Sequence, residues 1–374
     1  MRCKFEDIVT VGNEKRTPTI EDTDTYVGLE HLESDTIIVS RFGSRVPLKS
    51  TMQVMKKGDV LFGRRNAYLR RTGIAPHDGL CSADIMILHP KENVIDREFL
   101  PFFVSSDYFF DIAERYSAGS IMQRVMWSRI KDVEFDLPPL VEQRKLADLL
   151  WTATAMREAY KKLLMTTEEL VKSQFIEMFN NSPKEKIGEV CTIKARIGWQ
   201  GLKKDEYLTE GNYHLVTGVD FKDNRIDFNN CFYVTEQRYS QDAHIQLQPE
   251  DVLITKDGTI GKVAIIEEML IPATLNSGVF VVRDRQGLLK NRFIFYSLMT
   301  DEFNNFVEGI KTGSTIAHLN QGAFVNYEIP VPPLERQNTF IQFAKQVDKS
   351  KFELQRTLEE LEATYKALLR EKLG

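Results

Sequence analysis

Apolar residues recur every three or four positions in two long stretches of the chain. The first series is Leu146, Leu149, Ala153, Met156, Tyr160, Leu163 and Leu170, and the second is Phe340, Ala344, Val347, Leu354, Leu358, Leu361, Tyr365 and Leu368. This is the heptad spacing of helices that pack along one side. A helix over residues 141–179 would be about 58 Å long. That length favours a two-helix spacer over the alternative, a helix in the core of one domain.

The two stretches belong to an internal repeat. Pro138-Pro139-Leu140 comes before the first helix and Pro332-Pro333-Leu334 before the second, 194 positions later. Proline is tolerated in the first turn of a helix, so each pair marks a helix start. The same shift places Leu146 on Phe340, which gives the two stripes one phase. We therefore expect the two helices to pack on each other, and the chain to be a tandem duplication.

The rest of each half alternates strands with short helices and loops. In the first half we predict strands at 26–29, 36–39, 60–62 and 83–88, a turn at 57–59 and a helix at 97–116. The second half repeats this order, because Gly58-Asp59-Val60-Leu61 returns as Glu250-Asp251-Val252-Leu253. The predicted fold class is α/β, with two domains in tandem repeat and a long antiparallel two-helix coiled coil between them. The predicted segments are domain 1–137, helix 138–182, domain 183–330 and helix 331–374.

Composition adds few constraints. The chain has 374 residues, is 42% apolar and 28% charged, and carries a net charge of −5. These values are typical of a globular protein with room for two domains. No signal peptide and no apolar run of about 18 residues is present, so we expect a cytoplasmic protein with no membrane partner. The four cysteines have no CxxC spacing, which argues against a disulfide framework and a thiolate metal site.

One segment of the first half is strongly basic. Residues 41–71 contain nine Lys or Arg and one acid, Asp59, for a local charge of +8. A solvated surface is the alternative interpretation of such a run. Arg64-Arg65-Asn66 follows a predicted strand directly, however, and guanidinium and amide groups can contact phosphates and base edges. The predicted nucleic-acid contacts of this half are Arg41, Arg45, Arg64, Arg65, Asn66, Tyr68, Arg70, Arg71, Ser120 and Gln123.

The second half has different chemistry at the corresponding loops. Lys256-Asp257-Gly258 replaces Arg64-Arg65-Asn66, and the loop at 312–320 replaces the loop around Ser120. Ordinary hairpin turns would explain either loop alone, but they explain less well two loops at matching repeat positions. The predicted contacts of this half are Trp199, Lys256, Asp257, Thr259, Lys262, Ser314, Thr315, His318 and Asn320.

Motifs of catalysis are missing from the sequence. It contains no dinucleotide-binding GxGxxG, no Walker A loop, no HExxH and no GxSxG. Both Pro-Pro pairs are followed by Leu rather than by the Tyr of an amino-methyltransferase motif. The six histidines lack metal-ligand spacing, so the predicted site has no catalytic residue and no metal.

Two variable domains, each followed by a Pro-Pro-Leu-x-x-Gln type segment and a long helix, resemble the specificity (S) subunit of type I restriction-modification enzymes. The residues that carry the resemblance are Pro138, Pro139, Leu140, Glu142, Gln143 and Arg144 with Pro332, Pro333, Leu334 and Gln337, supported by Gly258-Thr259-Ile260-Gly261 and Gly313-Ser314-Thr315. The second copy departs from the pattern, because Glu142-Gln143 becomes Arg336-Gln337. The resemblance covers the whole chain.

The resemblance implies two target-recognition domains that each read half of a split, asymmetric double-stranded DNA site. It implies no catalysis and no cofactor on this chain. Two methyltransferase (M) subunits would bind S-adenosylmethionine, and restriction (R) subunits would cut DNA. The expected subunit interface is Gln143, Leu146, Leu149, Met156, Tyr160, Gln337, Phe340, Val347, Leu354 and Leu361. The alternatives are a stand-alone DNA methyltransferase or nuclease with an unrecognised active site, and a structural coiled-coil adaptor, against which the basic segment argues.

Overall fold

A computed structural model describes residues 1–119, 123–197, 201–311 and 318–373 of the protein. The chain divides into two compact units. Unit 1 comprises Met1–Leu163 and Leu354–Gly374, and unit 2 comprises Leu164–Glu353. Each unit therefore contains the first half of one long helix and the second half of the other. Within the described part of the chain, no helix is both long and apolar enough to span a membrane.

Unit 1 is built from short strands and helices before the first long helix. The strands are β1 Arg2–Lys4, β2 Val9–Val11, β3 Lys15–Arg16, β4 Met52–Met55, β5 Val60–Gly63, β6 Thr72–Ile74, β7 Gly79–Cys81, β8 Ile85–Pro90, β9 Ser117–Ala118, β10 Arg124–Val125 and β11 Glu134–Asp136. The helices are α1 Phe5–Ile8, α2 Asp22–Thr25, α3 Leu100–Ser105, α4 Asp107–Arg115, α5 Trp127–Ile130 and α6 Leu140–Phe179, whose second half lies in unit 2.

The main sheet of unit 1 has the order β2-β8-β5-β6, with antiparallel neighbours. Its central strand β5 is buried along its whole length, as expected for the apolar run at 60–62. Phe62 packs from this strand against Phe109 and Phe110 of α4 with ring centroids 5.4 and 5.6 Å apart. The core therefore fixes the end of β5, from which the Arg64 loop begins.

Unit 2 repeats this set of elements. Its strands are β12 Lys184–Lys186, β13 Cys191–Lys194, β14 His214–Val216, β15 Phe221–Lys222, β16 Arg225–Ile226, β17 Phe232–Tyr233, β18 Val252–Thr255, β19 Val263–Ile265, β20 Ala273–Leu275, β21 Val279–Asp284 and β22 Glu328–Pro330. Its helices are α7 Ile187–Val190, α8 Glu236–Ser240, α9 Asn291–Ser297, α10 Asp301–Lys311, α11 Gln321–Phe324 and α12 Leu334–Leu373, whose second half lies in unit 1.

The main sheet of unit 2 has the order β13-β21-β18-β19 and matches the sheet of unit 1 strand for strand. Leu253 of β18 pairs with Val281 of β21, as Leu61 of β5 pairs with Ile87 of β8. The predicted repeat of the scaffold is confirmed. A smaller sheet, β17-β14-β20, lies beside it and contains a parallel pair, β14 with β20.

The long helices α6 and α12 have 40 residues each, and within each unit their segments run antiparallel. In unit 1, Arg157 contacts Glu362, and its guanidinium carbon lies 5.4 Å from the ring centroid of Tyr365. In unit 2, Glu168 pairs with Lys351, and Phe175 packs on Phe340 with ring centroids 5.2 Å apart. In both units a later residue of α6 therefore meets an earlier residue of α12.

The predicted apolar stripe is confirmed on α12 and wrong on part of α6. Val347, Leu354 and Leu361 are half-buried. Leu149 and Met156 are instead 52% and 45% exposed. The buried face of α6 in unit 1 consists of Ala147, Leu150, Thr154 and Arg157 together with Gln143 and Leu146. This face also has heptad spacing, but it includes polar residues. The exposed Leu149 and Met156 therefore gave a more regular apolar pattern in the sequence than the buried positions did.

Two predicted strands of unit 1 are absent at their positions. Residues 26–29 and 36–39 each contribute only an isolated bridge, at Val27 and Ile38. The helix predicted over 97–116 is two helices, α3 and α4. Ser106 between them is extended, and its side chain caps α4 by accepting a hydrogen bond from the Phe109 amide. A serine that caps a new helix ends the helical backbone at that residue, while the apolar residues on either side keep their helical spacing.

Candidate nucleic-acid interface

The Arg64 loop of unit 1 begins where the central strand β5 ends. The Arg64 amide donates to the Asp84 carbonyl over 3.0 Å. Because Asp84 directly precedes β8, this bond extends the pairing of β5 with β8 by one residue. Asn66 has a left-handed backbone with φ of 54°, a conformation that asparagine tolerates better than most residues. The chain therefore turns sharply after Arg65 and leaves the sheet.

This turn pairs with a second loop. The Asn66 amide donates to the Gln123 carbonyl, and the Val125 amide donates to the Arg64 carbonyl, each over 2.8 Å. Arg65 and Arg124 are bridge partners in the same short ladder. The structure thus brings Arg64, Arg65, Asn66 and Gln123, all predicted from the sequence, to one place.

Three charged side chains form a cluster on this ladder. Asp84 accepts a hydrogen bond from Arg65 Nη1 at 3.5 Å, and its Oδ1 forms an ion pair with Arg124 Nη2 at 2.9 Å. Both arginine side chains are about two-fifths exposed, at 39% and 44%. Two guanidiniums facing one carboxylate leave a positive surface. Arg64 Nε and Arg124 Nε are buried and lack a hydrogen-bond partner within the described ranges. Buried donors without a hydrogen-bond partner are uncommon in folded proteins, and the packing of this chain does not explain the two donors at this site.

Unit 2 has the same backbone arrangement at the end of β18. The Lys256 amide donates to the Gly278 carbonyl over 2.8 Å, and the Leu319 amide donates to the Lys256 carbonyl over 2.8 Å. Asp257 and His318 are bridge partners, as Arg65 and Arg124 are in unit 1. Gly258 takes the place of Asn66 and also has a positive φ, 72°. The two units thus hold two equivalent pairs of loops.

The side chains on this second ladder differ in charge. His318 Nδ1 is hydrogen-bonded to Asp257 Oδ1, and Lys256 Nζ lies 3.3 Å from Asp257 Oδ2. The Lys256 ammonium is also 5.7 Å from the Phe280 ring centroid, so its chain is held against the sheet. Asp257 and His318 are each nearly half exposed. Unit 2 therefore presents a carboxylate where unit 1 presents a guanidinium.

Comparison with known proteins decides the family. The family described as type I restriction modification DNA specificity domain matches residues 4–164 and again residues 181–363. The chain belongs to this family. It contains the specificity domain twice, in agreement with the repeat of scaffold and loops.

Curated relatives and a solved structure are similar to this chain. The chain is 22% identical over 297 residues to the type I restriction enzyme MjaVIII specificity subunit of Methanocaldococcus jannaschii, covering 72% of this chain and 68% of the relative. It is 23% identical over 338 residues to the MjaIX specificity subunit of the same organism, covering 80% and 74%. The solved S subunit of the type I system of M. genitalium has a TM-score of 0.61 at 14% identity, covering 100% of this chain and 96% of the other. Its likeness shows that the fold is shared.

This specificity domain family supplies the non-catalytic subunit of its enzymes, in agreement with the resemblance seen in the sequence. Burial raises the pKa of the Cys81 thiol and of the Cys191 thiol to about 12, so neither is a reactive thiolate at neutral pH. No group of three or more His, Cys, Asp or Glu that could hold a metal occurs in the described ranges.

Several predicted contact residues lie apart from the ladders or have other roles. Arg70 forms ion pairs with Asp107 and Asp111 of α4, and its contact with nucleic acid stays a prediction. Asn320 is exposed, and its Oδ1 accepts from the Gly322 amide at 2.7 Å and caps α11, so its contact also stays a prediction. Of the remaining residues, Arg41 pairs with Glu33 and Arg71 is half-buried. The side chains of Arg45, Tyr68, Thr259 and Lys262 are exposed. Ser120, Trp199, Ser314 and Thr315 lie outside the described residues.

The assignment of the two motif glutamines to a subunit interface is corrected. Gln143 and Gln337 were predicted at a subunit interface, but both are fully buried within their own units. Gln143 Oε1 accepts from the Asp96 amide at 2.8 Å, and its Nε2 donates to the Val94 and Pro138 carbonyls at 3.1 and 2.9 Å. Gln337 makes the same three bonds to the Lys290 amide and to the Leu288 and Pro332 carbonyls, at 2.9, 2.8 and 2.8 Å. Each glutamine therefore joins its long helix to a loop of its domain.

The other predicted interface residues divide by exposure. Leu146 and Phe340 are buried in the cores of units 1 and 2, which corrects their assignment to a subunit interface. Tyr160, Val347, Leu354 and Leu361 are half-buried. Leu149 and Met156 are exposed, and Leu163 continues the same line seven residues further with 46% exposure. An exposed apolar line at heptad spacing is available to a partner.

Sequence reasoning missed Arg124 and Asp84. Asp84 was assigned to a strand, and Arg124 was passed over although the repeat contains the signal that identifies it. The shift of 194 positions that joins the two halves places Arg124 on His318, a residue that was predicted. Applying the repeat in both directions would have identified Arg124 as well.

Proposed function

We propose that this chain is the DNA-reading subunit of a type I restriction-modification complex, and that units 1 and 2 each read one half of a split, asymmetric DNA site. The observation that carries this is the pair of equivalent ladders, which hold Arg65 and Arg124 in unit 1 and Asp257 and His318 in unit 2. One backbone arrangement with two sets of charges is suited to two different sequences. Phosphate contacts would orient each unit, and the ladder side chains would reach base edges.

The domain boundaries follow the repeat. Target-recognition domains occupy 1–137 and 183–330, and the segments 138–182 and 331–374 form an antiparallel coiled coil that spaces them. The antiparallel contacts within each unit support this arrangement, with Arg157 on Glu362 in one and Lys351 on Glu168 in the other. Two packed helices form a semi-rigid element, so the spacing between half-sites would be set by helix length.

The helices also serve as the docking surface for M subunits. Leu149, Met156 and Leu163 give unit 1 an exposed apolar line that its own core leaves uncovered. Leucine and methionine at heptad spacing suit a partner helix, because such positions fit between side chains of the facing helix. The internal repeat provides two related helices, which supports a complex with two M subunits.

The remaining chemistry belongs to the partners. S-adenosylmethionine binds to the M subunits, and R subunits join the complex to cut DNA. This chain supplies site choice and assembly and holds no cofactor of its own. The complex works in the cytoplasm, where it meets double-stranded DNA.

The test is to assemble the chain with its M subunits and map methylated sites on random DNA. A site of two fixed sequences separated by a fixed gap is expected, and a continuous site would contradict the proposal. In the same assembly, replacing Arg64 and Arg65 by Ala should change only the first half-site. If these arginines contact phosphates instead, the slope of log affinity against log salt should fall by about 0.9 per contact.

A further inference from the structure

We propose that the two units read opposite hydrogen-bonding patterns at equivalent positions: Arg65 and Arg124 of unit 1 read a guanine, and Asp257 of unit 2 reads the exocyclic amino group of a cytosine or an adenine. This inference rests on the proposed function and adds the chemistry of each half-site. The two contacts would occur at equivalent places on the two domains, because one ladder starts at the end of β5 and the other at the end of the equivalent strand β18.

The unit 1 cluster is a donor surface. A guanidinium has five N–H donors and no acceptor. Asp84 contacts one terminal nitrogen of Arg65 and one of Arg124 as an ion pair, and it holds the two groups side by side. The other terminal nitrogens remain available, since both side chains are about two-fifths exposed. The major-groove edge of guanine offers two acceptors, O6 and N7, which match a guanidinium held in a fixed orientation.

Asp84 has a second consequence for recognition. A carboxylate beside the two guanidiniums lowers the net charge of the cluster to about +1 while it fixes their orientation. A cluster that served phosphates alone would gain from a higher charge and would not need a fixed orientation. The geometry therefore favours base reading by Arg65 and Arg124 over general phosphate binding.

The unit 2 cluster is an acceptor surface. An ionised carboxylate has no donor and about four lone-pair sites. His318 and Lys256 each contact one oxygen of Asp257 and leave further sites on both oxygens open. These two neighbours also offset the repulsion between Asp257 and DNA phosphates. In the major groove the donors are the N4 amino group of cytosine and the N6 amino group of adenine, so a carboxylate selects those bases and repels the acceptor edge of guanine.

The loop that carries Asp257 borders open space. Gly258, the equivalent of Asn66, meets no heavy atom within 4 Å of the position that a Cβ would occupy. Gly278 stands where Asp84 stands in unit 1, so the second ladder has no carboxylate at that position. Asp257 is therefore the acid of the unit 2 ladder, and it lies on the loop itself rather than behind it.

The experiment uses the full chain assembled with M subunits and a DNA library in which both half-sites are randomised. The variants are Arg65→Ala, Arg124→Ala, Arg124→Lys and Asp257→Asn. Arg97→Ala and Asp223→Asn are the matched controls, since they remove the same charges at exposed positions. Arg97 lies beside Gly58, at the opposite end of β5 from the Arg64 loop, and Asp223 lies in the turn between β15 and β16. Thermal unfolding of each variant confirms that it is folded.

For unit 1 we expect Arg65→Ala and Arg124→Ala to relax the preference for one guanine of the first half-site by about 10- to 100-fold. Arg124→Lys should relax it as well, because lysine keeps the charge but not the paired donors. The second half-site should stay unchanged. Equal loss of affinity on every sequence would assign the arginines to phosphates and overturn the inference.

For unit 2 we expect Asp257→Asn to relax one position of the second half-site, and the wild-type base there identifies cytosine or adenine. An unaffected second half-site, or an equal loss of affinity on every sequence, would overturn the inference. These outcomes leave the proposed function intact, since the wild-type complex would still select a two-part site. If the wild-type complex selected no such site, the proposed function itself would fail.

Discussion

Arg157 donates from Nη2 to Glu362 Oε1 over 3.2 Å, and the repeat carries the same ion pair in unit 2 as Lys351 and Glu168. Both partners are shifted by 194 positions, so one duplicated pair joins α6 to α12 within each unit. The two copies differ in burial. Arg157 is 4% exposed and also donates to the Asp35 carbonyl, whereas the Glu168 side chain is more than half exposed.

This difference predicts unequal costs for the same substitution. Glu362→Gln leaves the buried Arg157 without its anion, so we expect it to destabilise unit 1 by about 1–3 kcal/mol. Glu168→Gln should destabilise unit 2 by less than about 1 kcal/mol, because solvent screens the exposed pair. Hydrogen exchange measured peptide by peptide can assign each loss to its unit. Equal effects of the two substitutions would contradict the role of burial.

The heptad pattern shows what sequence could and could not predict about the helices. It gave the positions of both helices and the inward face of α12. It failed on α6, because Leu149, Met156 and Leu163 have the same spacing as the buried face one residue further along. Thr154 and Arg157 occupy that buried face. A polar residue becomes acceptable in a core only through its partners, here Glu362 and the Asp35 carbonyl, and no local pattern reveals them.

The motif glutamines predict a matched pair of stability losses. Gln143→Leu removes three hydrogen bonds and leaves the Asp96 amide and the Val94 and Pro138 carbonyls without this partner. We expect a loss of about 2–4 kcal/mol in the unfolding free energy of unit 1, and a similar loss in unit 2 for Gln337→Leu. Urea unfolding followed by hydrogen exchange measures both.

The exposed neighbour Glu142 provides the control. Glu142→Ala should change the unfolding free energy by less than about 0.5 kcal/mol. If Gln143→Leu were as mild as Glu142→Ala, the buried glutamine would not be what joins the helix to its domain.

The candidate site was predictable where the repeat and the local sequence agree. Arg65, Asn66, Gln123, Asp257 and His318 were all identified, and the structure brings them to the two ladders. Charge counting alone did not reveal that Arg70 is ion-paired. Its counter-ions Asp107 and Asp111 are about forty residues away in sequence, and only the packing of α4 beside the loop brings them together. A basic run in sequence is therefore a weak guide to a basic surface.

The ion pairs of unit 2 predict an acid-sensitive contribution to stability. Burial alone would raise the pKa of Glu267, but hydrogen bonds from Arg292 and Arg225 outweigh burial and lower the pKa to about 2. Because the pKa is lower in the folded than in the unfolded state, the carboxylate stabilises unit 2 fully above about pH 4.5. This contribution is lost as the pH falls from there toward 2.

The measurement is the unfolding free energy of unit 2 for wild type and Glu267→Gln between pH 7 and pH 3. Wild type should be more stable at pH 7, and its advantage should stay constant to about pH 5 and then shrink. Glu268→Gln, at the exposed neighbouring position, should show no such trend. An advantage that is the same at pH 3 and pH 7 would contradict the contribution of Glu267.

The proposed spacer predicts that helix length sets the gap in the DNA site. Seven residues added after Leu163 in α6 and after Gln355 in α12 keep the heptad phase of both helices. Each helix then grows by about 10.5 Å, or about three base-pair steps of 3.4 Å. Methylation mapping should find the two half-sites unchanged and the gap longer by about three base pairs. An unchanged gap in an assembled complex would show that another element measures the distance.

The duplicated ion pair leads to a prediction about half of the chain. Residues 1–182 contain one domain and all of α6, but they lack the α12 segment that covers the buried face of α6 in unit 1. Exposing that face costs about 25 cal/mol per Å². Glu168 is the repeat equivalent of Glu362, so a second copy of α6 can offer Glu168 to Arg157. The truncated chain should therefore form a two-fold dimer with this ion pair made twice.

Charge reversal makes the prediction specific. Arg157→Glu in the 1–182 chain would place two carboxylates at each of the two contacts, and light scattering should show a weakened dimer. Glu168→Arg should weaken it likewise, through two cations at each contact. The double variant restores opposite charges at both contacts and should recover the dimer. With M subunits, the wild-type dimer should methylate a palindrome built from the first half-site. A folded monomer of 1–182, or a double variant no more dimeric than either single one, would show that the two copies of α6 do not replace the pairing of α6 with α12.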